Sequence, residues 1–352
     1  MKIIRFLLKI LSLFIVLFIV FVIYASISDY KPKKTKIIFK SQTPDTIDVE
    51  EEISLMIWNI GYCGLSGDMD FFYDGGQQVR TSKQNVHNNY SFVKSHLQNN
   101  DTLNFILLQE VDIHSKRSYY LNELDSFNQA LPAFKSFFAK NYDVTFVPSP
   151  VTNPLGSVKS GLASYSKRNP KTATRCSFPG NYSWPVKLFM LDRCFLVERF
   201  PTTNEKELVV INTHNSAYDD GSLKKQQMEY LKTFLVEEYQ KGNYIIVGGD
   251  WNQNPPDVDY SDIAENSPTK RFVLNPIEKN YLPSNWSWVY DPNTPTNRYL
   301  NAPYEKGKSI TPIIDFYLMS PNIFPLFIKT EDLNFKHTDH QPVITKIKLV
   351  QN

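Results

Sequence analysis

The sequence predicts an α/β body behind an N-terminal membrane segment, and three observations predict it. Short apolar runs of strand length alternate with longer amphipathic stretches of helix length through most of the chain. An uncharged run, Ile10–Ile27, follows Lys2, Arg5 and Lys9. Six of the apolar runs end in an acid, an amide or a histidine. Composition agrees with a packed core: 42% of the 352 residues are hydrophobic and 21% charged, which excludes general disorder. With 13 glycines and 22 prolines a collagen-like chain is excluded. With three cysteines and no CxxC pair, so are a disulfide-dense scaffold and a cysteine zinc site.

Taken in order, Ile10–Ile27 comes first. Its eighteen residues span roughly 27 Å at 1.5 Å per residue, close to one hydrocarbon core. That is longer than most signal-peptide apolar regions, so residues 1–28 read as an uncleaved single-pass anchor; the other reading is a signal cut near Ala25-Ser26. Basic residues flank both sides, so the positive-inside rule does not orient it. A single N-terminal anchor ahead of a large domain usually leaves that domain outside the cytoplasm, and an extracytoplasmic body is expected. Residues 29–50, rich in Lys, Pro, Thr, Asp and Glu, read as a tether, and residues 51–352 as one domain.

Within that domain Ile53–Asn59 and Asn104–Gln109 have the length and composition of core strands. Lys83–Gln98 suits a helix, as does Tyr119–Phe138, which Pro132 must kink or divide. Tyr142–Val147, Leu162–Ser166, Cys194–Arg199 and Leu208–Asn212 read as strands. Ser222–Gln240 carries Leu223, Gln227, Tyr230, Leu231 and Phe234 at helical spacing, with Ser222 as candidate N-cap. Tyr244–Val247, Ile313–Met319 and Val343–Leu349 complete the strands. Segments 64–80, 148–160, 176–190 and 251–305 read as long loops over one end of the sheets, where loops of that length are usually functional. Cys176 and Cys194 lie on neighbouring elements and could pair after export, leaving Cys63 free. His87, His96 and His114 read as ordinary surface or packing residues.

Charge is unevenly spread. Residues 1–40 hold eight basic side chains and one acid, leaving 30 basic and 35 acidic residues elsewhere, so the tail is +7 and the body −5. The body therefore lacks the global field expected of a tight polyphosphate binder, although a local basic groove is compatible with it.

The strand ends carry the chemistry. Asn59 follows Trp58, Glu110 follows FILLQ, His214 follows VVINT, Asp250 follows YIIVGG with Asn252 two residues on, Asp315 follows Ile313-Ile314, and Asp339-His340 precede the last strand. An isolated charge is costly to bury. Acids and histidines converging at strand ends can offset that cost by sharing a cation and hydrogen bonds. Oxygen ligands without cysteine suit Mg²⁺ or Mn²⁺ better than zinc. Any one of these residues has an ordinary alternative, such as a turn residue or a surface ion pair; the ordered set of six is what points to a site.

The motifs WN(59)I, LLQE(110)VD, NTH(214)NSAYDDG, GGD(250)WN(252)QNP, IID(315)FYLMS and TD(339)H(340)QPV, with SGLASYSK at 160–167, resemble the endonuclease/exonuclease/phosphatase superfamily. It includes pancreatic-type deoxyribonuclease, apurinic endonuclease, neutral sphingomyelinases and inositol-polyphosphate 5-phosphatases. The resemblance covers about residues 53–349; Trp251 stands where Phe is common. It implies a four-layer α/β sandwich with two central mixed β-sheets, here preceded by one N-terminal transmembrane helix. It implies metal-dependent hydrolysis of a phosphoric ester. Glu110 would be the first metal ligand, with Asn59 and Asp339 completing or bordering its environment. Asp250 would orient or deprotonate the attacking water, or hold a second metal. Asn252 would donate to a phosphoryl oxygen. His340, oriented by Asp315, would be general base or transition-state donor. His214 would bind the phosphate or protonate the leaving oxygen.

Three substrate readings follow. The membrane segment, the acidic body and the THxxA-like stretch favour a lipid-headgroup phosphodiester, with aromatic loops Met69–Asp74 and Asn285–Tyr290 as candidate bilayer contacts. A nuclease on DNA or RNA would use the same rings to stack bases. An inositol-phosphate phosphatase would need clustered Lys/Arg, whereas Arg80, Lys187 and Arg298 are scattered. The complete motif set argues against a catalytically inactive surface binding module. An alkaline-phosphatase fusion after residue 40 is expected to be active; an inactive fusion would place the body in the cytoplasm.

Overall fold

Along strand after strand, side chains alternate between two apolar environments, as a sheet buried on both faces requires. In β2 (Glu52–Asn59), Ile53, Leu55 and Ile57 enter one cluster while Met56 and Trp58 enter another. In β8 (Glu207–His214) and β9 (Tyr244–Asp250), Leu208, Val210, Tyr244 and Ile246 share the first cluster, whereas Val209, Ile211, Ile245 and Val247 face away. A computed structural model describes residues 2–219, 221–256, 258 and 276–351.

The shared cluster is the core between two mixed sheets. One sheet has six strands, with β2 and β3 (Phe105–Asp112) at its centre, β5 (Gly156–Ser166) and β4 (Lys135–Val147) on one side, and β13 (Val343–Leu349) and β12 (Ile323–Thr330) on the other. The second has seven: β1 (Thr35–Lys40), β6 (Thr172–Ser177), β7 (Cys194–Pro201), β8, β9, β11 (Asp315–Met319) and β10 (Ser287–Val289). β2–β3 and β8–β9 are the parallel pairs. Helices α2 (Lys83–Asn99) and α3 (Glu123–Ala130) cover the outer face of the first sheet through Val93, Leu97 and Phe127. Helix α4 (Ser222–Gln240) covers the second through Met228, Leu231 and Leu235. The four layers are therefore those the sequence implies. The N-terminal helix α1 (Lys2–Ser28) has 27 residues, of which Val22 is buried, and is long and apolar enough to be a membrane anchor or a signal sequence.

Several expectations are corrected. The helix predicted over Tyr119–Phe138 ends at Ala130; Pro132 cannot donate a helical hydrogen bond, and from Lys135 the chain runs as a strand with Phe137 and Ala139 facing inward. The tether is part of the fold from Thr35, since β1 pairs antiparallel with β6 and Ile47 and Val49 enter the intersheet core. Ser222 is not the N-cap of α4: Gly221 is, and Asp219 Oδ2 accepts from the amides of Gly221, Leu223 and Lys224 at 2.9–3.1 Å. All three cysteines are free. Cys176 stands opposite Phe195, so Cys176 and Cys194 fall on opposite faces of their strands and their sulfurs cannot meet. Residues from all four loop segments line one cleft, but 156–160 belong to β5 and Ser287–Val289 form β10, and residues 257 and 259–275 lie outside those described. The aromatics of Met69–Asp74 and Asn285–Tyr290 are packed rather than free for a bilayer: Phe71 is buried, and Trp286, Trp288 and Tyr290 pack on the core under α4.

The two sheets meet where the rings of Phe105 and Phe200 pack edge to face, with centroids 5.2 Å apart. Phe105→Ala is expected to cost about 3–5 kcal/mol of stability. A denaturant midpoint unchanged from wild type would contradict this account of the core.

Candidate active site

Register alone places three of the expected residues in one row. His214 pairs with Asp250 across the parallel β8–β9 ladder, and Asp315 pairs with Asp250 across the antiparallel β9–β11 ladder. Paired residues share a face. All three continue the inward series, as Asn59 does beyond Ile53, Leu55 and Ile57 in β2. The row therefore lies just past the end of the intersheet core.

The glycines before Asp250 are required there. A Cβ on Gly248 would come within 2.6 Å of Ile57 Cγ2 on the facing sheet. Gly249 has φ +144, and a Cβ on it would meet the Thr213 carbonyl oxygen at 2.1 Å.

Glu110 reaches the row by a different route. Simple alternation would turn it outward with Ile106 and Leu108. Instead β3 bulges against β5 between Leu108 and Val111, and Glu110 takes a left-handed φ of 57°. A bulge of this kind re-aims a side chain, and here it brings Glu110 Oε1 to 3.9 Å from His214 Nε2. Beneath this point Gln109 Nε2 donates to Asn212 Oδ1 at 2.8 Å, tying the two sheets together.

His340 Nδ1 lies 2.8 Å from Asp315 Oδ2, the orienting pair expected from the sequence. Asp315 is in turn held by Thr296, whose Oγ1 accepts from its amide at 3.0 Å. Asn59 Nδ2 donates to Asp250 Oδ2 (3.0 Å), and Asn59 Oδ1 accepts from the Gly61 amide (3.0 Å), so Asn59 fixes Asp250 in place. The Asn252 amide donates to Asp250 Oδ1 (2.9 Å), while its side-chain Nδ2 donates to the Asn215 carbonyl (3.0 Å), leaving a second N–H for a ligand. His214 Nε2 is 3.4 Å from Asp250 Oδ2. Thus Asn59, Glu110, His214, Asp250, Asn252, Asp339 and His340 line one cleft of about 1270 Å³ including its open mouth, with Asp315 behind His340.

Electrostatics divides the two histidines. Burial, with Arg193 and His340 nearby, pushes His214 well below the usual histidine range, so its imidazole is neutral. For His340 burial works in the same direction, but Asp315, Asp339 and Asp250 outweigh it and push it up to about 10. Its Nε2 nevertheless faces Asn297 Nδ2 at 2.9 Å, and that amide also donates to the Asp339 carbonyl at 3.3 Å. The doubly held amide favours a lone pair on Nε2, and a cation neutralising the carboxylates would remove the charge that opposes it. Burial, reinforced by Glu110, pushes Asp339 up to about 7 against the pull of His340.

The donor set fits a hard divalent cation. Asp339 Oδ1 is buried without a hydrogen-bond partner, and a Cβ on Gly61 would come within 2.7 Å of it, so glycine leaves room there. Glu110 opens to the cleft and, among the described residues, no cysteine lines it, which suits Mg²⁺ or Mn²⁺. Asp250, Asp315 and His340 also bring ligand atoms within 4.8 Å of one another. Asp315 and His340 already share a hydrogen bond, which leaves Glu110 and Asp339 as the better fit for a cation.

Arg193, which the sequence reading missed, also lines the cleft. Its Nη1 is buried without a partner, and burial lowers its pKa while Glu110 and Asp250 raise it. Its place at the start of β7, beside Cys194, carried no signal of its own. Arg117 lies over the Tyr62 ring at 3.7 Å and forms two hydrogen bonds with Asp112, with Nη1 3.9 Å from Glu110. Arg298 and Arg80 are engaged by carbonyls of Ser66, Met69 and Pro154, so no basic cluster forms from them. His96 pairs with Glu331 at 2.9 Å, away from the cleft.

Residues 56–304 match the family described as the Endonuclease/Exonuclease/phosphatase family. No curated protein matches the sequence significantly. Among solved structures, an endonuclease/exonuclease/phosphatase from Beutenbergia cavernae is similar with a TM-score of 0.56 and 14% identity, covering 85% of this chain and 72% of that one. TDP2 of D. rerio, complexed with a single-strand DNA product, gives 0.53 and 11%, covering 85% and 99%. ANGEL2, a 2',3'-cyclic phosphatase in complex with adenosine-2',3'-vanadate, gives 0.53 and 17%, covering 92% and 100%. At these identities the likeness is one of fold.

An acid whose folded pKa is raised stabilises the fold below its unfolded pKa, and that contribution is lost as pH rises through the folded value. In cation-free protein the Asp339 contribution is therefore expected to fall away between about pH 4 and about pH 7, and Asp339→Asn to flatten that loss. Thermal midpoints in EDTA across pH 4–8 check it; parallel profiles for both proteins would refute it.

Proposed function

Because this chain belongs to the Endonuclease/Exonuclease/phosphatase family of phosphoester hydrolases, we propose that it is a divalent-cation-dependent phosphodiesterase with lipid-headgroup phosphodiesters as its favoured substrate class. The observation that carries the reaction class is the row His214–Asp250–Asp315, completed by His340 and facing Glu110 and Asp339. Glu110 and Asp339 would hold the cation, which when bound would supply charge neutralisation on a phosphoryl oxygen. The free N–H of Asn252, the neutral His214 and Arg193 bind the remaining oxygens. Asp250, held at both oxygens by Asn59 and the Asn252 amide, orients the attacking water. His340 exchanges a proton at Nε2 while Asp315 keeps its Nδ1–H in place.

Two features support a lipid substrate: the N-terminal helix, which is long and apolar enough to cross a bilayer, and the −5 body, which does not attract a polyanion. The nuclease reading has one observation in its favour, the rings of Tyr62, Tyr73, Tyr142 and Tyr182 along the cleft, on which bases can stack.

Asp250→Ala or His340→Ala is expected to lower kcat by about 10²–10⁴-fold with the fold intact, and EDTA to abolish turnover that Mg²⁺ or Mn²⁺ restores. Sphingomyelin, ceramide phosphoethanolamine, plasmid DNA, RNA and bis-p-nitrophenyl phosphate make the panel. Near-normal turnover by either variant, or full activity in excess chelator, would reject the mechanism. DNA nicking without lipid turnover would reject the substrate class.

A further inference from the structure

The cleft wall and the N-terminal helix are joined by one stretch of chain. Between β6 and β7, Tyr182, Met190, Leu191 and Arg193 line the cleft. The residues among them turn the other way: Trp184 Nε1 donates to Ser26 Oγ of α1 at 3.3 Å, and the Phe189 ring stacks on Phe21 of α1 with centroids 5.8 Å apart. Strand β4 makes the same link. Tyr142 lines the cleft and donates its hydroxyl to the Phe189 carbonyl at 2.9 Å, while Phe146, four residues on, meets Phe21 edge-on at 6.1 Å.

Around this junction apolar side chains face solvent: Trp184 is 60% exposed, Val186 48% and Phe146 40%. Two aromatic rings against α1 beside exposed apolar neighbours are unlike a scatter of single surface residues. The position of α1 says what covers them. If Ile10–Ile27 fills one hydrocarbon core, Phe21 lies about 9 Å inward of Ile27 at 1.5 Å per residue. Groups packed on Phe21 then sit at the headgroup–acyl boundary, where apolar faces settle roughly 5–10 Å deep and tryptophan is enriched. Directly after α1, exposed Lys31, Lys33, Lys34 and Lys36 offer charge to anionic headgroups.

We infer that the rim formed by Phe146, Trp184, Val186 and Phe189 docks on the bilayer that holds α1, so that the cleft opens at the membrane surface toward headgroup phosphodiesters. This rests on α1 being a retained anchor and deepens the lipid-substrate reading. It also moves the bilayer contact away from Met69–Asp74 and Asn285–Tyr290, whose rings are packed.

The test uses the full chain reconstituted into phosphatidylcholine vesicles brominated near the headgroup end of the acyl chains. Of the five tryptophans, Trp58 and Trp251 are buried and Trp286 and Trp288 pack beside α4. Brominated lipid is expected to quench a fraction of wild-type fluorescence, and W184F to lose most of that quenching. Equal quenching of both proteins, or of neither, would overturn the proposal. A second arm compares turnover of sphingomyelin in vesicles with that of bis-p-nitrophenyl phosphate. The pair F146S/W184S is expected to lose about tenfold on the vesicle substrate and to keep its rate on the soluble one. Unchanged vesicle turnover would also overturn it. Since quenching needs no catalysis, a protein that hydrolyses nothing yet shows Trp184-dependent quenching would sink the phosphodiesterase reading and leave the docking standing.

Discussion

Three carboxylates, those of Asp250, Asp315 and Asp339, are buried together at the open end of an apolar core, and a fourth, Glu110, faces them. Burying an isolated carboxylate costs several kcal/mol even after relaxation. The fold meets that cost with hydrogen-bond partners: Asn59 and the Asn252 amide for Asp250, and His340 for Asp315. Asp315 Oδ1 and Asp339 Oδ1 are the oxygens left without a partner. Of the two residues Asp339 lines the cleft, where a cation would complete the compensation.

Position is controlled by the packing of the sheets. His214, Asp250 and Asp315 come from one sheet, Asn59 and Glu110 from the other, and Asp339-His340 from the turn into β13. Their distances therefore depend on how closely the sheets approach. That approach is set by apolar pairs such as Phe105–Phe200, by the absence of a side chain at Gly248, and by the Gln109–Asn212 bridge. Stability and site geometry share the same contacts, so a core substitution far from the cleft acts on both.

The walls of the cleft mix tyrosine and aliphatic side chains with Arg117, Arg193 and Arg298. The same β6–β7 segment that lines the cleft leans on α1 through Trp184 and Phe189.

The sequence by itself determined the α/β alternation, the N-terminal apolar helix and most of the polar residues that gather at the cleft, because each is written in local pattern: period-two burial, an unbroken apolar run, polar residues at strand ends. The ends of Val343–Leu349 and Ser222–Gln240 were legible to the residue. Edge strands β1 and β12 were not: the Lys- and Thr-rich run of β1 lacks the strong apolar signal of central strands, and Pro325 within the apolar run of β12 argues against a strand except at a sheet edge. The helix predicted over Tyr119–Phe138 failed because the pairing of β4 with β5 overrode local propensity. Only the tertiary structure decided that Glu110 turns into the cleft, that Arg193 joins it, that Cys176 and Cys194 face apart, and which aromatics remain exposed. Each depends on a bulge, a register or a neighbour distant in sequence, and no local pattern encodes these.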